Sequence, residues 1–208
     1  MALFPTVIES PRLRFEVVHP DHYDPYELYE HVRVGAPNIE EITEWVTWDP
    51  HKHPKETLEF VEQVGEQFDE GEGVDYAIYL RNGEDGACEF AGACNLSVDW
   101  DRRCGNLGVW FRKPFWGRGY SGERARALVA LAFDVLDIDV VSVTHAPDNE
   151  KSQRAIETYI DALGGRKEGL IRNGLVMGGE PRDTVRYSIT AAEWQDATGG
   201  EYEATFEW

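Results

Sequence analysis

The stretch from Asn106 to Leu136 constrains this chain more than any other. Leu107, Val109 and Phe111 alternate with less apolar neighbours, the period of a strand, and Pro114 then ends the ladder because it has no amide to donate. Phe115-Trp116-Gly117-Arg118-Gly119-Tyr120-Ser121-Gly122-Glu123 follows directly, and Leu128, Leu131, Ala132, Val135 and Leu136 then recur at helical spacing. The order is strand, glycine-rich loop, helix. Glycines let successive amides converge on one point, and the helix start adds partial positive charge, so such a turn can hold a pyrophosphate, with Arg118 as a mobile cation at its rim. A Gly-x-Gly loop before a helix is equally a plain turn. Gly117, Gly119 and Gly122 also spell the Gly-x-Gly-x-x-Gly of a dinucleotide-binding loop. Against that reading, the preceding strand is not a continuous apolar run, and Asp139, the acidic residue at about the right distance, opens a strand instead of ending one.

The rest of the chain alternates strands and helices without internal repeats, an α/β or mixed α+β pattern. Leu13, Phe15 and Val17 read as a strand and Asp21 to Val32 as a helix. Pro54 opens a second helix with Thr57, Leu58, Val61, Val64 and Phe68 on one face. Val74 to Leu80 alternates again, Asn82-Gly83 marks a turn, and Phe90 to Val98 supplies the next strand. Val140 to Thr144 is a further strand; Asn149 to Arg154 opens a helix with Ala155, Ile156, Tyr159, Ile160 and Leu163 on one face, and Gly164-Gly165 ends it.

With 208 residues, 42% of them hydrophobic, the chain can bury roughly 70% of its unfolded surface around one core, so a single domain over 1–208 is expected, with a flexible acidic tail at 196–208. There are 39 acidic against 20 basic residues, a net charge of -19, which opposes binding to nucleic acid or an anionic membrane. The acid runs from Glu9 to Glu207 instead of gathering at one place, which suits a halophilic protein in a salt-rich cytoplasm better than a device for attracting cations. No apolar run is long enough to span a membrane, and the first residues lack the pattern of a secretory signal, so a soluble cytoplasmic protein is expected. Cys88, Cys94 and Cys104 show no CxxC spacing, and neither a disulfide framework nor a metal site is suggested.

Taken together, these motifs resemble the GNAT acyltransferases and, within them, the RimL-type ribosomal-protein N-terminal acetyltransferases. The resemblance rests on Ser10-Pro11-Arg12-Leu13, the Trp116-to-Tyr120 loop, the Asn149-x-x-Ser152 helix start, Glu168-Gly169-Leu170-Ile171-Arg172, and Asp183 to Ile189. It implies a mostly antiparallel sheet, splayed between its middle strands, with helices on both faces. It also implies acetyl-CoA as co-substrate, and an amine acceptor such as a protein N-terminus; a homodimer is compatible with it. Acetyl-CoA would lie as a pseudo-strand against backbone groups of Trp110, Phe111 and Arg112, with its pyrophosphate on Trp116, Gly117, Arg118, Gly119, Tyr120 and Ser121, and with Asn149 and Ser152 nearby. A backbone amide near Phe111 would polarise the thioester, and Ser152 would protonate the departing sulfur, although Ser152 also reads as a plain helix-start residue. Trp45, Trp48, His51 and His53 fall where relatives have acceptor-side elements.

Three departures stand out. Ser121 replaces a usual Ala or Gly, a small change. Tyr159 to Ala162 lengthens its helix by about one turn, roughly 6 Å, while keeping the apolar face. Asn106 stands where many relatives carry a carboxylate, and an amide cannot act as a general base. That favours a weakly basic acceptor: at pH 7 an α-amine of pKa about 8 is roughly 10% neutral, whereas a lysine amine is neutral to well below 0.1%. A catalytically silent acyl-CoA-binding module of the same fold is the alternative.

Overall fold

The computed structural model describes residues 2–208. The strands are β1 (Val7–Glu9), β2 (Leu13–Val17), β3 (Gly73–Leu80), β4 (Phe90–Asp99), β5 (Cys104–Phe111), β6 (Val140–His145), β7 (Arg166–Met177), β8 (Glu180–Thr190) and β9 (Thr205–Glu207). They form one sheet in the order β7-β8-β6-β5-β4-β3-β2-β1-β9, antiparallel throughout except where β5 meets β6. The mostly antiparallel sheet with helices on both faces is as expected. On β3, Val74, Tyr76, Ile78 and Leu80 join the core beneath α4 (Tyr120–Ala130) and α5 (Glu150–Ala162), while Ala77 and Tyr79 pack with α1 (Pro25–Val32) and α3 (Pro54–Glu70) on the reverse face.

Three local differences have simple causes. The first helix begins at Pro25 and not at Asp21, because the Asp24 side chain accepts from the Tyr26 amide at 2.9 Å and Pro25 suits the first turn. Leu58 is 42% exposed: the buried face of α3 runs through Thr57, Val61, Val64 and Phe68, and Leu58 lies about 100° off it. The stretch 196–208, expected as a flexible acidic tail, instead finishes α6 (Ala191–Thr198) and pairs β9 with β1. Tyr202, Ala204 and Phe206 alternate there and pack on the main core, a period of two hidden in sequence by Glu201, Glu203 and Glu207.

Candidate active site

Beyond β5 the chain makes one 3-10 turn at Lys113–Phe115 and enters the glycine loop. Gly117 and Gly119 have φ of +76° and +81°, a region costly for any residue with a Cβ, and Gly119 is the N-cap of α4 without any side-chain cap. The first amides of α4 therefore have no helical partner and no capping side chain. A built tie fixes this helix start. The buried carboxylate of Glu123 accepts from Ser10 Oγ and the Arg12 amide, both at 2.7 Å, and from Arg12 Nε at 2.6 Å. Arg12 Nη1 also donates to the Arg118 carbonyl at 3.0 Å, inside the loop. The Ser10-to-Leu13 motif thus holds the loop from the far side of the sheet.

The loop side chains turn back onto the protein. Arg118 is no free rim cation: it lies over the Phe115 ring and donates to the Asp85 carbonyl at 3.0 Å. Tyr120 is buried, packs on Phe111 and bonds Glu84 through its hydroxyl, which leaves its backbone amide as the group facing outward. Trp116 turns its indole back to donate to the Phe111 carbonyl at 2.7 Å. Ser121 is half-buried in the first turn of α4.

The parallel ladder between β5 and β6 holds for four pairs, from Cys104↔Val140 to Leu107↔Val143, and then stops. β5 stays paired with β4 up to Phe111, and β6 with β8 up to His145, so the two strands diverge beyond Leu107. Arg112 donates its amide to the Ala91 carbonyl at 2.8 Å, and strict alternation turns the Val109 and Phe111 backbone groups toward the opening. Of the three residues expected to offer backbone here, Arg112 and, two residues before it, Trp110 are therefore committed to β4, and Phe111 presents its amide while its carbonyl serves Trp116.

The opposite wall is the start of α5. Asn149 is its cap, with Oδ1 accepting the Ser152 amide at 3.0 Å. Ser152 lies one turn before Ile156 on the buried face, and the cap is made without its hydroxyl. Between the walls stands a carboxylate that sequence reasoning missed. Glu41, on α2 (Ile39–Thr43), bonds both Lys113 after β5 and Lys151 of α5, the latter at 2.8 Å, and these lysines hold its pKa below the ordinary value. Lys151 also sits 4.4 Å over the Trp116 ring.

The other sheet face carries an aromatic wall. Trp48 packs on Trp110 at 5.5 Å and on His51 at 6.2 Å; Trp110 meets Phe90 at 5.7 Å, and His31 stacks on Phe90 at 4.8 Å. Burial lowers His31 to about 4, aided by Arg112, and burial also lowers His51, whose Nδ1 contacts Thr57 Oγ1 at 2.7 Å, so both rings are neutral at pH 7. Trp48 and His51 join this wall. Trp45 is half-buried with no ring partner in it, and His53 is exposed and turned to Glu56. Phe90 was missed because only the folded sheet brings it to Trp110, and His31 because only the packing of α1 on that sheet brings it to Phe90. Toward the start of β5 lies a groove of about 360 Å³ that includes Ser97, Asn106 and Ser142, where Ser142 Oγ donates to Asn106 Oδ1 at 3.3 Å. Among the described residues no cluster fit to hold a metal ion is found, and no helix is long and apolar enough to cross a membrane.

Residues 12–159 match the family described as "Acetyltransferase (GNAT) domain". The chain is 35% identical over 99 residues to "Putative ribosomal N-acetyltransferase YdaF" of Bacillus subtilis (strain 168), an alignment covering 48% of this chain and 52% of that protein. The chain thus spans about half the length of that curated relative. Among solved structures, a putative acetyltransferase from T. thermophilus superposes with a TM-score of 0.72 at 27% identity, covering 94% of this chain and 95% of the other. "Microcin C7 self immunity acetyltransferase MccE in complex with Acetyl-CoA and AMP" superposes with a TM-score of 0.73 over 87% of this chain and 93% of its own; at 17% identity it speaks for the fold alone.

Proposed function

The chain belongs to the GNAT acetyltransferase family, and on that premise we propose that it moves the acetyl group of acetyl-CoA to a primary amine by direct attack. One observation carries the reading: the divergence of β5 from β6 past Leu107↔Val143 opens beside an uncapped, glycine-led helix start. Pantetheine fits the first as a pseudo-strand against Val109 and Phe111, and the pyrophosphate fits the second. A neutral amine attacks the thioester carbon, the resulting oxyanion is met by the Phe111 amide, and its collapse breaks the C–S bond. Ser152, free of capping duty, donates the proton that the leaving thiolate takes up.

The acceptor comes from the face of Trp48, His51 and Trp110. A neutral aromatic wall suits a weakly basic amine, and a protein N-terminal α-amine is the favoured class, consistent with the ribosomal relative's name. Asn106 supports the second reading, an acyl-CoA-binding module without turnover, because it removes the base expected at that position.

Thiol release from acetyl-CoA, followed across peptides and small amines, separates the two. Wild-type chain should release thiol with peptide α-amines. Gly119→Val should lose at least about tenfold in acetyl-CoA affinity, through backbone strain at positive φ and exclusion of the pyrophosphate. A folded Gly119→Val chain with unchanged affinity would move the co-substrate elsewhere, and binding without thiol release from any amine would favour the silent module.

A further inference from the structure

Amide formation must dispose of a proton, and the β5 position that could take it holds an amide. The even-numbered residues of β5, Asn106, Gly108 and Trp110, face the acceptor side, so any replacement must lie on that same face. One row crosses it at the right level. Asp75 on β3 pairs with Asn95 on β4, and Asn95 pairs with Gly108 on β5. Gly108 is the first β5 residue past the end of the parallel ladder, at the closed end of the opening that receives the thioester. A Cβ on Gly108 would fall on Asn95 Oδ1, so the missing side chain is what lets the Asn95 carboxamide lie over the strand toward that point.

Asp75 stands at the other end of the row, half-buried. Burial is the single influence on its carboxyl, with neither a hydrogen bond nor a charge partner contributing. A carboxylate kept partly out of water without a partner is costly, and nothing in the fold's own packing uses it. Its surroundings are otherwise settled. On β2, Glu16 of the next row is bonded by Arg14 at 2.7 Å; beside α3, His19 lies 3.5 Å from Asp69; Asn95 and Ser97 on β4 are neutral; Cys94, on the α4 and α5 side of the sheet, is a thiol pushed up to about 12 by burial.

Resting on the acetyl-transfer reading above, we propose that Asp75 is the proton acceptor of the reaction and takes the amine proton through water oriented by Asn95. Two strand spacings put about 10 Å between the Asp75 and Gly108 backbones, too far for direct contact with an amine over Gly108 and suited to a short water relay. The N–C bond forms, the nitrogen gives its proton to water, and water gives one to Asp75 Oδ. The C–S bond then breaks with the electron pair on sulfur. Burial places the Asp75 carboxyl at about 7, so at neutral pH a large share is ionised and ready to accept.

The test is kcat/KM against pH, with peptide α-amines, for wild type, Asp75→Asn and Asp75→Glu. Asp75→Asn should lower kcat by about 10²-fold or more, keep acetyl-CoA affinity, and remove the rise near pH 7, leaving the amine's own rise near 8; Asp75→Glu should recover part of the rate. An Asp75→Asn chain with wild-type kcat and profile overturns the proposal. Should that variant not fold, Asn95→Ala serves instead: a tenfold or greater fall in kcat at constant acetyl-CoA affinity supports the relay, and full activity overturns it. A wild-type chain that binds acetyl-CoA and acetylates no amine overturns the transferase reading itself, a result distinct from either.

Discussion

At the scale of single residues, two half-buried titratable groups oppose each other. Asp75 is held at about 7 in the fold, well above an unfolded aspartate, so folding favours its protonated form and stability declines as pH rises from about 4 to about 7. His31 is held at about 4, below an unfolded histidine, so its contribution is complete above about 6.5 and is lost as pH falls toward 4. In wild type the two slopes partly cancel. Asp75→Asn should therefore be more stable than wild type at pH 8, by about 2 kcal/mol once partial solvent contact is allowed for, with the gain shrinking toward pH 4. His31→Gln should flatten the acid side instead. Urea midpoints at pH 4.5, 6 and 8 would show it, and an Asp75→Asn gain that does not vary with pH would contradict it. Neither group announces itself in sequence. Asp75 sits in an ordinary alternating strand, and its isolation depends on a register across three strands and on α3 closing over them.

The elements were legible to different depths. Strand and helix periods, the proline stop before the loop and the glycine-led start of α4 are local, and the proposed co-substrate side is built from them. The acceptor side was not, because Trp48, Trp110, His31 and Phe90 come together from four separate segments, and Trp45 and His53, equally aromatic or titratable by sequence, remain outside. The closing Tyr202-to-Phe206 alternation was hidden by its acidic neighbours. At this scale the tie between β2 and α4 is the part to test. Glu123→Gln keeps the shape but weakens three charge-assisted bonds and frees Arg12 from its carboxylate. A loss of about 2–3 kcal/mol is expected from urea unfolding, together with weaker acetyl-CoA binding because Arg12 also holds the Arg118 carbonyl. Lost stability with unchanged acetyl-CoA affinity would confine the tie to folding.

Over the whole molecule, the net charge of -19 is unevenly met by the basic residues. Arg12, Lys113, Arg118 and Lys151 stand around the loop and the two walls, and each is matched there by a carboxylate, Glu123, Glu41 or Asp85. Self-repulsion elsewhere should loosen the fold in dilute buffer. The thermal midpoint should rise by several degrees between about 0.1 M salt, where the Debye length is roughly 10 Å, and molar salt; a flat midpoint would count against adaptation to a salt-rich interior. The short β5–β6 ladder also has a mechanical meaning. The sheet is a book of two antiparallel leaves, β9-β1-β2-β3-β4-β5 and β6-β8-β7, whose strand spine is four residue pairs long. The leaves can breathe about that spine more easily than either can part beside it, since the flanking ladders β4–β5 and β6–β8 are longer. A co-substrate lying between them would act as a clasp, so the solvent exchange of the Gly105 and Leu107 amides becomes a gauge of how often the book opens.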